Sequence, residues 1–291
     1  MAKDILTHIQ ENMGSFSKGQ KLIANFILES YDKAAFMTAC KLGKTVNVSE
    51  STVVRFAAEL GYDGYPSMQK ALQEMIRNKL TAIQRIEVSN DRIGDQDIMS
   101  MVMQSDIEKI RITLEETDRE SFNQAVDMII AAKRIYILGV RSASALANFM
   151  GFYFNYIFDN VLRVDTTSIS EVFEQVMRIG PGDVFIGLSF PRYSKRTVQA
   201  MQYAKSQGAN VIAITDSAVS PLANIADISL LAKSDMASFV DSLVAPLSLV
   251  NALIVAVSRK KSDQLESTFG KLEQIWSEYE VYEPTDGGTE S

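Results

Sequence analysis

FMTACKLGKTVNVSESTVVRFAAEL, residues 36–60, decides the reading of this chain. Two short helical patterns hinge on a turn, and the second opens with Ser49, Glu50, Ser51, Thr52 and Arg55. Phe36, Ala39 and Leu42 mark the buried side of the first helix, with Cys40 packed beside them; Val46 and Val48 pin the turn. Val53, Val54, Phe56, Ala57 and Leu60 supply an apolar stripe on the second helix. Its other side is left to hydroxyls and one guanidinium, the layout of a helix-turn-helix whose second helix enters a DNA major groove. Ser49 is an N-cap residue without the Glu or Gln three positions on that would complete a capping box. The same pattern also suits an ordinary helix pair with a solvated polar face.

Upstream, Ile5, Ile9 and Met13 share one helical face, and Phe16 before Ser17 suggests a hydrophobic staple onto a helix carrying Leu22, Ile23, Phe26 and Ile27. Downstream, Gly61, Tyr62, Gly64 and Tyr65 break the period before Pro66, which opens another helix with Met68, Leu72 and Ile76. Five helices in residues 1–77 make a compact bundle.

At 291 residues the chain is long enough for two domains. Its net charge of −7 excludes indiscriminate coating of nucleic acid. The charge is uneven, however: residues 1–77 hold nine Lys plus Arg against eight Asp plus Glu, so the deficit lies downstream. Lys41, Lys44, Arg55, Lys70 and Arg77 give the bundle a local positive face, and so modest a surplus calls for two bundles acting on neighbouring half-sites. The single cysteine excludes an internal disulfide. With no long apolar run and no signal-peptide pattern in MAKDILTHIQ, the expected location is the cytoplasm, away from membranes.

Residues 78–123 read as a charged helical connector with a hinge around Asn90–Asp95 and a helix over about 97–116 that packs on the second domain or on a partner subunit. From residue 134 the period changes. IYILGV, NVLRV, DVFIGLSF, ANVIAIT and ADISLLA are short apolar runs starting near Ile135, Val161, Val184, Val211 and Ile228, with helical patterns between them. Runs with so little alternation predict parallel strands buried on both faces, hence a doubly wound α/β domain over residues 124–262. A long apolar helix, Phe239–Val257, follows; residues 263–291 read as a C-terminal helix and a tail with little to bury.

Ligands of such sheets collect beyond the carboxyl ends of the strands. Two of these ends are rich in donors. In GVRSASALA, residues 139–147, Gly139 permits a close turn, and Arg141, Ser142 and Ser144 stand where a helix's free amides attract phosphate. In SFPRYSKRT, residues 189–197, Ser189, Tyr193 and Ser194 lie beside Arg192, Lys195 and Arg196. Together they suit a small phosphorylated or carboxylated metabolite. After the fourth run, Asp216 and Ser217 would contact a sugar or close the loop, while Ser220 and Pro221 look like a helix entrance. Catalytic machinery is sparse: the one histidine, His8, is in the bundle, and Glu171 with Glu174 reads as a solvated helical pair. No nucleotide-binding glycine motif, metal-ligand spacing or cofactor signature is present.

Taken together, the chain resembles the RpiR family of bacterial transcriptional regulators over about residues 3–260. SESTVVRFAAELGYDGY is similar to that family's recognition segment, through Ser49, Thr52, Val53, Arg55, Phe56, Leu60 and Gly61. GVRSASALA resembles the first phosphosugar segment of sugar isomerase (SIS) domains, pointing to Ser142 and Ser144. The second segment of that family usually reads Ser-x-Ser-Gly-x-Thr; Ser189 and Ser194 match its ends, whereas Pro191 and Arg192 replace the central Ser-Gly. AKSQGANVIAITDSAVSPLANIAD is similar to the SIS continuation. The resemblance implies a regulator, by family habit a repressor of carbohydrate genes, without a cofactor. It would associate as a dimer or tetramer and bind double-stranded operator DNA through Lys44, Ser49, Ser51, Thr52 and Arg55. A phosphorylated sugar or sugar derivative would bind around Gly139, Arg141, Ser142, Ser144, Ser189, Arg192, Tyr193 and Ser194. The alternative is a phosphosugar isomerase or related SIS enzyme.

Overall fold

The computed structural model describes residues 5–76, 81, 83–86, 97–165, 168–235 and 240–282. Arg77, the hinge expected at Asn90–Asp95, Phe239 and the tail beyond Tyr282 lie outside the described residues. The chain forms two compact units: Met1–Ser105 with Asp235–Asp241, and Asp106–Ser234 with Ser242–Ser291.

In the first unit the described residues form a bundle of α1 (Ile5–Glu11), α2 (Lys18–Glu29), α3 (Tyr31–Ala34), α4 (Ala39–Thr45), α5 (Glu50–Glu59) and α6 (Tyr65–Ile76). The helix beyond the expected five is α3, a single turn too short to show a period. Ile9, Ile23, Ile27, Leu42, Val53, Phe56 and Leu72 fill the core. Three expectations need correction. Leu22 and Val54 are exposed, because their neighbours Ile23 and Val53 occupy the inward direction and adjacent helical residues point about 100° apart. Cys40 is exposed as well: α4 buries Leu42 and Gly43, and a residue two positions before Leu42 points about 200° away from it. Phe16 is buried, its ring 5.0 Å from Phe56 of α5, in the core that also holds Ile23 and Ile27 of α2. The entry to α2 is fixed by a capping box, Ser17 with Gln20.

The second unit is a doubly wound sheet. Its strands β1 (Ile135–Gly139), β2 (Val161–Arg163), β3 (Val184–Leu188), β4 (Asn210–Thr215) and β5 (Ile228–Leu231) run parallel in the order β2-β1-β3-β4-β5. Successive residues of the central strands feed two cores, as a period of two demands. Ile135, Ile137, Ile186 and Ile212 pack on the face covered by α8 (Arg119–Ala131), α9 (Ala143–Ile157) and α12 (Val244–Lys260). Tyr136, Leu138, Phe185 and Val211 face α10 (Ile169–Val176) and α11 (Lys195–Ser206). This double burial is why β1 and β3 are apolar apart from the Tyr136 hydroxyl. It does not extend to β2, where Leu162 and Arg163 are exposed: an edge strand has one neighbour and less cover. The long apolar helix begins at Val244, later than its apolar run suggested, with Pro246 tolerated in the first turn. The connector helix, α7 (Ile98–Glu116), has its N-terminus tied by Asp97, and α13 (Ser262–Glu278) closes the described chain.

Candidate functional site

The DNA-reading candidate is built on a turn that holds α5 against α4. Asn47 takes the left-handed φ of 58° that asparagine tolerates, and the Val48 amide donates to the Gly43 carbonyl at 2.8 Å. A Cβ on Gly43 would sit 2.8 Å from the Val48 carbonyl oxygen, so only glycine lets α4 come this close to the turn. Sequence reading passed over Gly43, since a glycine inside a helical period gives no sign of what it approaches.

Ser49 is the N-cap of α5, accepting from the Thr52 amide at 3.3 Å, and its hydroxyl lies 2.9 Å from Ser51 Oγ and 2.8 Å from Thr52 Oγ1. Arg55 Nε donates to the Ser51 carbonyl at 3.2 Å, which leaves the guanidinium standing over the first turn of the helix. Ser49, Ser51 and Arg55 are exposed, Thr52 is half-buried, and Lys44 is exposed at the last turn of α4. The opposite side of α5 is sealed by Val53, Phe56 and Ala57, so the hydroxyls and the cation form the outward face of a rigid element. Free amides and an arginine at a helix start match what phosphates and base edges accept.

The second candidate lies where the strand order reverses, between β1 and β3. Each strand ends in a turn that leads into a helix, α9 from β1 and α11 from β3. On the β1 side, a Cβ on Gly139 would overlap the Ala143 carbonyl, so glycine brings α9 tight against the strand end. Arg141 is left-handed at φ 58°. Ser142, at the N-cap position, is exposed; its carbonyl accepts the Ala145 amide at 3.3 Å but its hydroxyl makes no capping bond to α9, while Ser144 Oγ donates to the Arg141 carbonyl at 2.6 Å.

On the β3 side, Ser189 is buried and its hydroxyl accepts the Ser194 amide at 3.0 Å, pinning the loop across Pro191 and Arg192. Ser194 caps α11 toward the Thr197 amide. Arg192 is exposed and left-handed at φ 64°, at the position where SIS segments carry glycine. Tyr193 Oη donates to Asp216 Oδ1 at 2.8 Å, and Asp216 is buried at the end of β4. Asp216 thus closes the loop, one of the two roles expected of it; its partner was hidden because 23 residues separate the pair in sequence. The Ser220 hydroxyl accepts the Ala223 amide at 3.1 Å, but what it opens is a run of turns: the helix expected to enter at Ser220 and Pro221 does not form between β4 and β5. Thr197 Oγ1 is fully buried in the first turn of α11 with no hydrogen-bond partner among the described residues. Glu171 and Glu174 are both exposed on α10. Among the described residues no group of three His, Cys, Asp or Glu is placed to hold a metal ion, and no helix is long and apolar enough to cross a membrane.

Comparison with known proteins follows this division. Residues 3–79 match the rpiR-family helix-turn-helix domain and residues 128–256 match the SIS domain. The regulator HexR of Escherichia coli K12 is 25% identical over 280 residues, covering 94% of this chain and 95% of its own. An uncharacterized HTH-type transcriptional regulator of Caldanaerobacter subterraneus is 25% identical over 268 residues, 89% of this chain and 92% of its own. Among solved structures, the sugar isomerase domain of an RpiR transcription factor from Sphaerobacter thermophilus is 28% identical with a TM-score of 0.57, covering 62% of this chain and 99% of its own. Vibrio vulnificus NanR, solved with ManNAc-6P, shares the fold across 94% of this chain and 98% of its own, at 22% identity and a TM-score of 0.59. An rpiR-type helix-turn-helix bundle followed by a SIS domain places this chain in the RpiR family, as a transcriptional regulator with a sugar-isomerase-type sensor domain.

Proposed function

We propose that this protein is a repressor of carbohydrate-metabolism genes whose operator affinity is set by a phosphorylated sugar or sugar derivative. The observation that carries the reading is the pair of helix starts, α9 and α11, at the ends of adjacent strands β1 and β3. Each brings a helix N-terminus, a serine and an arginine: Ser142 with Arg141, and Ser194 with Arg192. Amides at helix starts and guanidinium groups are complementary to a phosphate dianion. Gly139, Ser144, Ser189 and Tyr193 shape the two loops around it. NanR, which shares the fold, was solved with a sugar phosphate, in keeping with this chemistry.

Two copies, in a dimer or within a tetramer, present two α5 helices to successive major grooves of a palindromic operator. Arg55 and Ser51 contact bases or adjoining phosphates, Ser49 and Thr52 hold the phosphate backbone, and Lys44 adds sequence-independent attraction. The effector acts by linkage: whichever arrangement of the two reading helices it binds more tightly is the one it populates. The family relationship and the two exposed glutamates of α10 favour a sensor over an isomerase.

The test is binding of the purified chain to DNA from upstream of its own gene, at defined salt, while a panel of sugar phosphates is titrated. Tight binding weakened by one member supports the reading. Consumption of a panel member by a chain that binds no DNA overturns it in favour of an enzyme.

A further inference from the structure

Residues 83–86, within the stretch that reads as a connector, form one helical turn that is inside out. Arg85 is 3% exposed, whereas Ile83 and Ile86 beside it are 70% and 43% exposed. Hydrophobicity alone would set the reverse. Arg85 Nη1 donates to Asp241 Oδ1 at 2.8 Å across 156 residues of chain. An arginine, which does not shed its proton, is buried only where such a partner meets it.

The turn is fixed at its start as well. Thr81 and Gln84 form a capping box: the Gln84 amide donates to Thr81 Oγ1 at 3.3 Å, and the Thr81 amide donates to Gln84 Oε1 at 3.0 Å. The same glutamine reaches the bundle, its Nε2 donating to Asp32 Oδ2 at 3.2 Å. Asp32 stands in the first turn of α3, whose Ala34 lies in the bundle core. Adjacent helical residues point about 100° apart, so Gln84 and Arg85 hold two different parts of the chain at once.

Asp241 ends a detour. The chain leaves the sheet's unit after Ser234, contributes Asp235–Asp241 to the bundle's unit, and returns at Ser242. Both ends of the detour are fastened to α7. The Lys233 amide donates to Thr113 Oγ1 at 3.0 Å and its ammonium pairs with Glu116 at 2.6 Å, while Ser242 Oγ donates to Asp106 Oδ1 at 2.6 Å. The detour follows β5, and all five strands run parallel, so it starts from the same edge of the sheet as the ends of β1 and β3.

From this we infer that the turn carrying Gln84 and Arg85 is the tie that passes changes at the carboxyl edge of the sheet to the DNA-reading bundle. The inference rests on the proposed effector-controlled regulator and names the residues that carry the control. A buried ion pair adds little stability over an apolar pair of the same volume, but it is strict about register. A shift that moves Asp241 either takes Arg85 along or leaves a buried cation without its carboxylate. Arg85 carries the turn, and through Gln84 the turn carries Asp32 and α3. Both are positioning residues, outside the sets proposed to touch DNA or effector.

Two readouts on the full chain test this. In hydrogen exchange without DNA or ligand, Gln84→Glu should speed exchange at Asp241 and Ser242 at least about fivefold, because a glutamate keeps the cap on Thr81 but repels Asp32. Unchanged exchange there overturns the inference. In operator binding titrated with glucose 6-phosphate, fructose 6-phosphate and ribose 5-phosphate, Gln84→Glu and Arg85→Met should each bring a tenfold shift in affinity down to about threefold or less. Affinity for the active probe, measured without DNA, should stay within about twofold of the parent's, and Arg85→Lys should recover part of the shift. A purely structural role would move the melt and leave the shift whole. If Arg85→Met melts early, Gln84→Glu decides. A full shift in both variants overturns the inference and leaves the regulator standing. A parent chain that binds no operator, or that no probe affects, counts against the regulator, and exchange at Asp241 and Ser242 then decides the inference alone.

Discussion

Arg192 carries the sharpest prediction, because its backbone and its side chain pull in opposite directions. At φ 64° a non-glycine residue is strained by about 1 kcal/mol, and glycine at that position relieves it. Glycine also gives the unfolded chain more freedom, which costs about 0.5 to 1 kcal/mol. The two nearly cancel, so Arg192→Gly should change the unfolding free energy by less than about 1 kcal/mol. The ligand tells the other half. A charge-assisted hydrogen bond to phosphate is worth about 1.5 to 3 kcal/mol, and solvent exposure of Arg192 argues for the lower end, about a tenfold loss of effector affinity. Arg192→Lys keeps the charge and the strain but loses the planar fork, and should fall between. Calorimetric titration with the sugar phosphate that shifts operator binding, alongside denaturant melts, reads both quantities. Unchanged affinity in Arg192→Gly would refute the assignment of this residue to the anion. A stability loss well beyond 2 kcal/mol would show instead that the guanidinium serves the fold.

Other outcomes follow from the same geometry. Arg55→Ala should weaken specific operator binding by about 1 to 3 kcal/mol without altering effector binding, as gel shifts and calorimetry would show; intact specific affinity would mean that α5 is not the reading helix. Gly43→Ala should destabilise the bundle by roughly 1 to 3 kcal/mol, because the new Cβ meets the Val48 carbonyl; a melt unchanged or raised by the better helix propensity of alanine would contradict this packing. Tyr65 donates to the Met37 carbonyl at 2.7 Å, and burial pushes its phenol up to about 12. Since the folded value exceeds the unfolded one, the phenol's contribution is complete below about pH 10 and is lost as the pH rises to about 12. Tyr65→Phe should therefore remove that alkaline step and lower stability by about 1 kcal/mol at neutral pH, measurable by pH-dependent denaturation. Ser142→Ala should blunt the effector response while leaving the melt unchanged, since the Ser142 side chain makes no capping bond to α9.

The order of elements was legible in this chain because two different periods announce it. Ile135, Val184 and Ile228 begin strands where the apolar runs begin, and β4 starts one residue before Val211. A strand buried on both faces must be apolar throughout, and that constraint is written locally. The Ser49 cap and the Val53–Phe56–Ala57 face of α5 are local in the same sense, since they depend on neighbours within one helical turn. Where a side chain points relative to a distant element is not local. Val54 and Cys40 look as apolar as the core residues beside them, and only the packing of α4 and α5 against the rest of the bundle turned them outward.

The candidate sites divide along the same line. Sequence alone determined that donors gather at the ends of the first and third strands, because Gly139, Ser142, Ser189 and Ser194 sit within a few residues of a strand-to-helix change. Tertiary structure alone decided what those donors do. Parallel pairing of β1 with β3 makes their ends neighbours, the 23-residue link from Tyr193 to Asp216 closes one loop, and the left-handed backbone of Arg141 and Arg192 sets where two cations begin. It also decided that α7 buries a lysine and exposes its isoleucine and leucine. Helical periodicity records that a face is apolar; which face meets the core depends on long-range contacts that no local window contains.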